Sequence, residues 1–199
     1  MGENLTIENT AENFETWTSQ EFVSNETRPK LLKAGILFVP NIGYREEKGP
    51  VFPALTEDIV SYLREHLPKD IALELCVDSD KYKELALYSD HKRLGNFIVT
   101  ALLFPTFVGV LSSYIYDKYV KADEQKPATV TVVKNIDNSV HNTYINESPK
   151  KYQSPTKVMF TITVVDSNGT SKKITYEGNA KDVEQTVKAI KLLQTNDTK

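Results

Sequence analysis

The chain has 199 residues and a mass of 22.5 kDa, with 40% hydrophobic and 26% charged residues, a globular rather than a disordered composition. Its net charge of -3 argues against a general nucleic-acid binder, which carries a strong basic excess. The single cysteine, Cys76, excludes an intramolecular disulfide framework, and one cysteine with three scattered histidines does not make a Cys/His zinc cluster.

Taken in chain order, residues 1–33 are an acidic N-terminal segment. No cleavable signal peptide is legible there, because the start lacks an apolar core segment. Met1-Gly2-Glu3-Asn4-Leu5-Thr6 matches the short pattern for N-terminal myristoylation, and a frayed acidic terminus is the plainer reading. Within residues 11–25, Phe14, Trp17 and Phe22 line a short helix.

Residues 34–93 read as a small α/β module. Ala34 to Val39 is a short apolar run stopped by Pro40, the pattern of a buried strand. Thr56-Glu57-Asp58 opens a helix with a capping hydroxyl and acids in the first turn. Leu55, Ile59, Leu63 and Leu67 form its apolar face, and Pro68 closes it. Ile71, Leu73, Leu75 and Val77 alternate with Ala72, Glu74 and Cys76, the period of a second strand. Ser79 to His91 is expected to be helical, with Tyr82, Leu85 and Tyr88 on one side. Strand, helix, strand, helix makes a βαβα-like unit with parallel strands. Ligands of such units sit beyond the carboxyl ends of the strands. The loop Asn41–Gly49 is there, so Tyr44, Arg45, Glu46 and Lys48 are the candidate ligand-binding residues. The loop matches neither a dinucleotide nor a phosphate-loop fingerprint, and a solvated connector is the plainer reading. Ser89-Asp90-His91 holds triad residue types, but sequence neighbours do not make a triad. Cys76, inside an alternating strand, reads as a buried thiol.

Residues 94–116 form the longest apolar stretch, 23 residues with no charge between Arg93 and Asp117. About 20 such residues suffice for a transmembrane helix. Lys92, Arg93, Lys118 and Lys121 flank the run, and Tyr114, Tyr116 and Tyr119 sit at one end, as at a membrane interface. The expectation is therefore a single-pass transmembrane helix with the N-terminal side cytoplasmic. A buried core helix and a hairpin bent at Pro105 are the alternatives.

Beyond the run, residues 117–128 read as a linker and 129–199 as an α+β module. Thr129–Val133 and Val140–Ile145 are expected strands around an Asp137-Asn138-Ser139 turn. Val158–Val165 is a strand, Asp166-Ser167-Asn168-Gly169 a hairpin turn, and Lys173–Tyr176 the returning strand. An amphipathic helix follows over about Ala180 to Leu193, with Val183, Val187 and Ile190 facing inward. Residues 1–94 carry 11 basic and 17 acidic side chains, and residues 117–199 carry 13 and 10, so the two sides differ in charge. Sequons at Asn4, Asn25, Asn146, Asn168 and Asn196 matter only in a secretory pathway.

The stretch Ile174-Thr175-Tyr176-Glu177-Gly178, followed by Lys181-Asp182-Val183-Glu184, loosely resembles the hairpin-plus-helix tail of small bacterial proteins. Some of these pair an apolar segment with soluble modules in defence or signalling operons. The resemblance implies no catalytic residue.

The fold class expected is α+β: a small α/β N-terminal module, a central apolar helix, then β-hairpins with an amphipathic helix. The leading functional expectation is a single-pass membrane-anchored binding, sensor or effector protein. A soluble α/β ligand-binding protein or enzyme, with 94–116 as its core helix, is the second, and a membrane-associated component of a bacterial defence or signalling system the third. No catalytic constellation, metal site or cofactor motif is legible. The expected partners are a membrane and a protein partner or a second copy, with no nucleic acid.

Overall fold

The computed structural model describes residues 4–86, 91–121 and 156–196, with side chains of the last helix described as far as residue 189. The strands among the described residues are β1 (Asn4–Thr10), β2 (Ile36–Val39), β3 (Phe52–Pro53), β4 (Leu73–Leu75), β5 (Glu84–Leu85), β6 (Lys92–Thr100), β7 (Lys157–Val165) and β8 (Ser171–Asn179). The helices are α1 (Phe14–Thr18), α2 (Arg28–Leu31), α3 (Thr56–His66), α4 (Phe104–Ile115) and α5 (Val183–Asn196). Six strands form one mixed sheet in the order β1-β8-β7-β6-β2-β4, and β3 pairs with β5 in a separate two-stranded sheet. The α+β class is therefore present, with strands from both sides of the apolar run in one sheet.

Side-chain rows explain that assembly. Leu75, Phe38, Phe97, Ile162, Ile174 and Ile7 stand opposite one another on successive strands across the whole sheet. Phe38 and Phe97 lie 4.4 Å apart, and Phe97 reaches Phe107 of α4 at 5.0 Å, so α4 covers this face. Residues on the opposite face, Leu37, Ile98 and Thr163, are buried as well. A strand buried on both faces needs apolar residues consecutively rather than alternately. Ile36–Val39 and Phe97–Val99 are such runs.

This double burial overturns the expected transmembrane helix at 94–116. Its first part belongs to β6, residues 101–103 turn, and only Phe104–Ile115 is helical. Phe97, Ile98, Val99 and Thr100 are aromatic or β-branched and favour a strand. Pro105 falls in the first turn of α4, where its missing N–H and fixed φ are tolerated, so it starts a helix instead of bending one. No helix among the described residues is long and apolar enough to cross a membrane. The uncharged run instead builds core: Phe104, Phe107, Val108, Leu111, Tyr114 and Ile115 are all buried. A π-helical turn, Tyr116–Val120, extends α4.

Gly95 sits at a bulge in β6 with φ +106°. A methyl group there would overlap the Phe38 ring, so glycine is required both for the backbone angle and for the approach of that ring.

The β2-α3-β4 unit has the expected parallel strands, and α3 ends at His66, before Pro68. Ile59, Leu63 and Leu67 are buried as expected. Leu55 is not on that face: it is half-exposed in a left-handed conformation, φ +72°. The hydroxyl of Thr56 donates to the carbonyl of Pro53 at 2.7 Å, and the end of the helix is capped elsewhere in the chain. The Glu84 carboxylate accepts from the N–H groups of Leu55 and Glu57, each at 3.0 Å. Glu84 belongs to β5, which corrects the expected helix over Ser79–His91. The described residues of that stretch up to 86 hold a 3-10 turn, Ser79–Lys81, and then extended chain that pairs with β3 at Glu84–Leu85. Packing of Tyr82 on Phe52, 5.2 Å between ring centroids, outweighs the weak local helical spacing.

A short helix carries Phe14 and Trp17, with an Asn13–Thr16 capping box, but it ends at Thr18, so Phe22 is buried from the turn beyond it rather than from the helix face expected. The β7–β8 hairpin turns at Asp166–Gly169, with Gly169 at φ +81°. Val183 and Val187 of α5 are buried. The expected strands at Thr129–Val133 and Val140–Ile145, most of the 117–128 linker, and Tyr88, Ser89 and Asp90 lie outside the described residues.

Candidate functional site

Tyr44, Arg45, Glu46 and Lys48 lie on the loop from β2 to β3, beyond the carboxyl end of β2. The Arg45 guanidinium stands over the Tyr44 ring at 5.2 Å, and Arg45 itself has a left-handed φ of +56°. Arg45, Glu46 and Lys48 are exposed, and none of the four lines the cleft at the β4 edge or the small cavity at Asn41, Pro53 and Gly95. Their neighbour Glu47 is tied to Lys83 at 2.8 Å. The structure thus places these four on one loop.

A concave feature lies at the β4 edge of the six-stranded sheet. It is an open cleft of about 560 Å³. Leu75 and Val77 supply its floor together with Glu74. Lys30 and Leu31 come from α2, Glu57 and Arg64 from α3, and Ser79 and Tyr82 from the chain after β4. The volume is that of a small-molecule site.

Its charges have a definite layout. Glu74 accepts from Lys30 at 2.8 Å and has Arg64 at 3.7 Å. Arg64 also donates through Nε and Nη2 to the carbonyl of Leu73, at 3.3 and 3.0 Å, which takes one outward acceptor of the edge strand. Both cations are more than half exposed, whereas the Glu74 side chain is only 19% exposed. Each cation therefore meets solvent, and the carboxylate they share anchors them to the floor. Glu57 lies seven residues before Arg64 on α3, two turns or about 10 Å along the helix. Glu26 and Glu57 add two further carboxylates to the lining.

Two supports hold this frame. The Tyr82 hydroxyl donates to Glu84 at 2.5 Å, and burial together with that carboxylate pushes the phenol pKa up, keeping it neutral. Asp78, just after β4, accepts from the N–H of Ser24 at 3.0 and 3.1 Å and from its hydroxyl at 3.0 Å. Hydrogen bonds from Thr27 and Ser24, with Lys81 beside it, hold the Asp78 carboxyl down at about 2. Asp78 thus fastens the segment before α2 to the end of β4, beside the Lys30–Glu74 pair.

Among the described lining residues there is no histidine and no cysteine. Cys76 is fully buried, and burial pushes its thiol up to about 12, so it carries no thiolate at neutral pH. His91 pairs with Glu177 at 3.3 Å, away from the cleft. Among the described residues no three His, Cys, Asp or Glu side chains are placed to hold a metal ion.

Sequence reasoning missed Lys30, Arg64 and Glu74 as a group. The one local signal was Glu74, a charge between two apolar strand residues. Its partners lie 44 and 10 positions away, and no spacing rule links them.

The fold and cleft define a mixed α+β protein with an open charged site at one sheet edge. No protein-family model, no curated protein and no solved structure matches the chain.

Proposed function

We propose that this chain is a ligand-binding protein whose site is the β4 cleft, and that it takes a small zwitterionic molecule. The anionic group of the ligand meets Lys30 and Arg64, its cationic group meets Glu57, and its body lies on Leu31, Leu75 and Tyr82. The observation that carries this reading is the convergence of Lys30 and Arg64, from two different helices, on the half-sheltered Glu74. Lys30 spends one of its three donors on Glu74, and Arg64 keeps its Nη1 group for a ligand. An arginine and a lysine presented together suit a carboxylate or phosphate. The burial of residues 97–99 and of α4 in the core supports this reading over a membrane-anchored one.

Linear ω-amino acids of increasing chain length test it by calorimetry. Binding should be strongest when the two charges stand about 10 Å apart, the separation of Glu57 from Arg64 along α3. Lys30→Ala and Glu57→Gln should each weaken it by about tenfold, since each removes one charge-assisted contact worth about 1.5 kcal/mol. Both side chains are exposed, so neither change should unfold the protein. Equal affinity for simple carboxylic acids, or binding indifferent to both substitutions, would sink the proposal.

A further inference from the structure

The other edge of the large sheet is built differently. Strand β1 pairs with β8 over seven residues, from Asn4 opposite Glu177 to Thr10 opposite Ser171. No strand lies on its outer side among the described residues. Asn4 to Asn9 are all exposed. The apolar rows of the α4-covered face nevertheless run into it. Ile7 continues the row of Phe97, Ile162 and Ile174, and Leu5 stands beside Tyr176. Ile174 and Tyr176 are 2% and 1% exposed, whereas Ile7 and Leu5 are 44% and 37% exposed. The core row is cut off at the edge rather than finished there.

Exposed edges are normally protected by lysine, proline, a bulge or short length. The β4 edge follows that rule: it is three residues long, and Arg64 occupies the carbonyl of Leu73. Strand β1 has none of these devices. It holds no lysine, arginine or proline, its pairing shows no bulge, and Glu8 is its one charge.

We infer that β1 is the interface by which two copies of this chain pair, edge to edge and antiparallel, about a two-fold axis at Thr6. A strand edge is completed only by another strand, and the side-chain pattern selects which one. A two-fold axis normal to the sheet keeps each face on its own side. With the axis at Thr6, Leu5 of each copy opposes Ile7 of the other, Thr6 opposes Thr6, and Asn4 opposes Glu8. Both apolar pairs then fall on the α4-covered face, and the rows that end at Leu5 and Ile7 continue into the second copy. Each Glu8 meets an amide instead of a second carboxylate, so no like charges are opposed. Shifting the axis to Ile7 would set Leu5 against Asn9, which loses both Leu–Ile pairs. The sequence of β1 is therefore complementary to itself in one register, and the two six-stranded sheets become one continuous sheet.

Sedimentation equilibrium of the full chain, from micromolar to sub-millimolar concentration, reads the association. A monomer–dimer equilibrium is expected. Ile7→Lys should weaken it by about tenfold or more by placing a charge beside the partner's Leu5. Ile7 is exposed enough that circular dichroism should be unchanged. Register is read by oxidative cross-linking. Thr6→Cys should form a disulfide-linked dimer about tenfold faster than Asn4→Cys, since only position 6 faces itself across the axis. The wild-type chain is the control, because Cys76 is buried. A monomer at every concentration overturns the inference, even if β1 proves to take an extended peptide of another protein. So does a dimer untouched by Ile7→Lys, or equal cross-linking at positions 4 and 6.

Discussion

Asp78 shows how much one side chain organises. It lies at the end of β4, is 9% exposed, and gathers the backbone N–H and hydroxyl of Ser24 together with Thr27 and Lys81. A carboxylate that accepts several hydrogen bonds binds its proton weakly. Its carboxyl is held at about 2 in the fold, against 3.8 in the unfolded chain. A lowered folded value contributes stability that is present above the unfolded value and lost as pH falls through the folded one. Asp78→Asn should therefore cost about 2 kcal/mol at neutral pH, and the cost should shrink from about pH 4 downward to about pH 2. Urea midpoints of both proteins at neutral pH and near pH 3 check this. A gap of equal size at both would mean that the charge of Asp78 is not what holds Ser24.

At the scale of elements, α3 is positioned by residues outside it. Its first turn is capped by Glu84, 27 and 29 residues further along the chain from the two N–H groups it accepts from. Its exposed side is clamped to α4. Tyr114 donates to Asp58 at 2.8 Å, Lys118 pairs with the same carboxylate at 2.9 Å, and Tyr62 donates to Asp117 at 3.1 Å. The Lys118 ammonium and the Tyr114 hydroxyl hold the Asp58 carboxyl below its usual range. Glu84→Ala removes the cap and should cost about 1 kcal/mol, within the usual 0.5–2 kcal/mol of a lost N-cap. Amide exchange should accelerate at the start of α3 more than at Leu63, whose side chain is buried in the core. Uniform acceleration along the helix would show instead that the loss is global. Because Glu57 belongs to that same first turn, the variant should also loosen the α3 side of the cleft.

For the whole molecule, β7 is the strand that joins the parts. It pairs antiparallel with β8, its neighbour in sequence, and parallel with β6, more than fifty residues earlier. Removing residues 1–125 would strip β6 and α4 from it and leave Phe160, Ile162 and Val164 uncovered on one side. A fragment of residues 126–199 should therefore show no cooperative thermal transition, while the full chain unfolds in a single one. Calorimetry of the two reads this directly, and a cooperative transition in the fragment would establish the C-terminal part as an independent folding unit.

Several elements were legible because their signals are local. Pro40 stops the apolar run of β2, the Ile59–Leu63–Leu67 spacing marks α3, and Asn168-Gly169 marks the β7–β8 turn by its tolerance of positive φ. A sequence with these features was bound to contain those pieces. What it could not decide was the state of residues 94–116. An uncharged run has no polar period, so a central strand followed by a helix reads the same as one long span. The sheet decided it: β6 is paired along both edges, with residues 36–39 and 157–165, the side chains on both its faces are buried, and Pro105 was free to begin a helix. The cleft was hidden for a related reason. Lys30, Arg64 and Glu74 meet only because a parallel crossover brings β4 beside β2, and ion pairing depends on distance through space, which the order of residues along the chain does not carry.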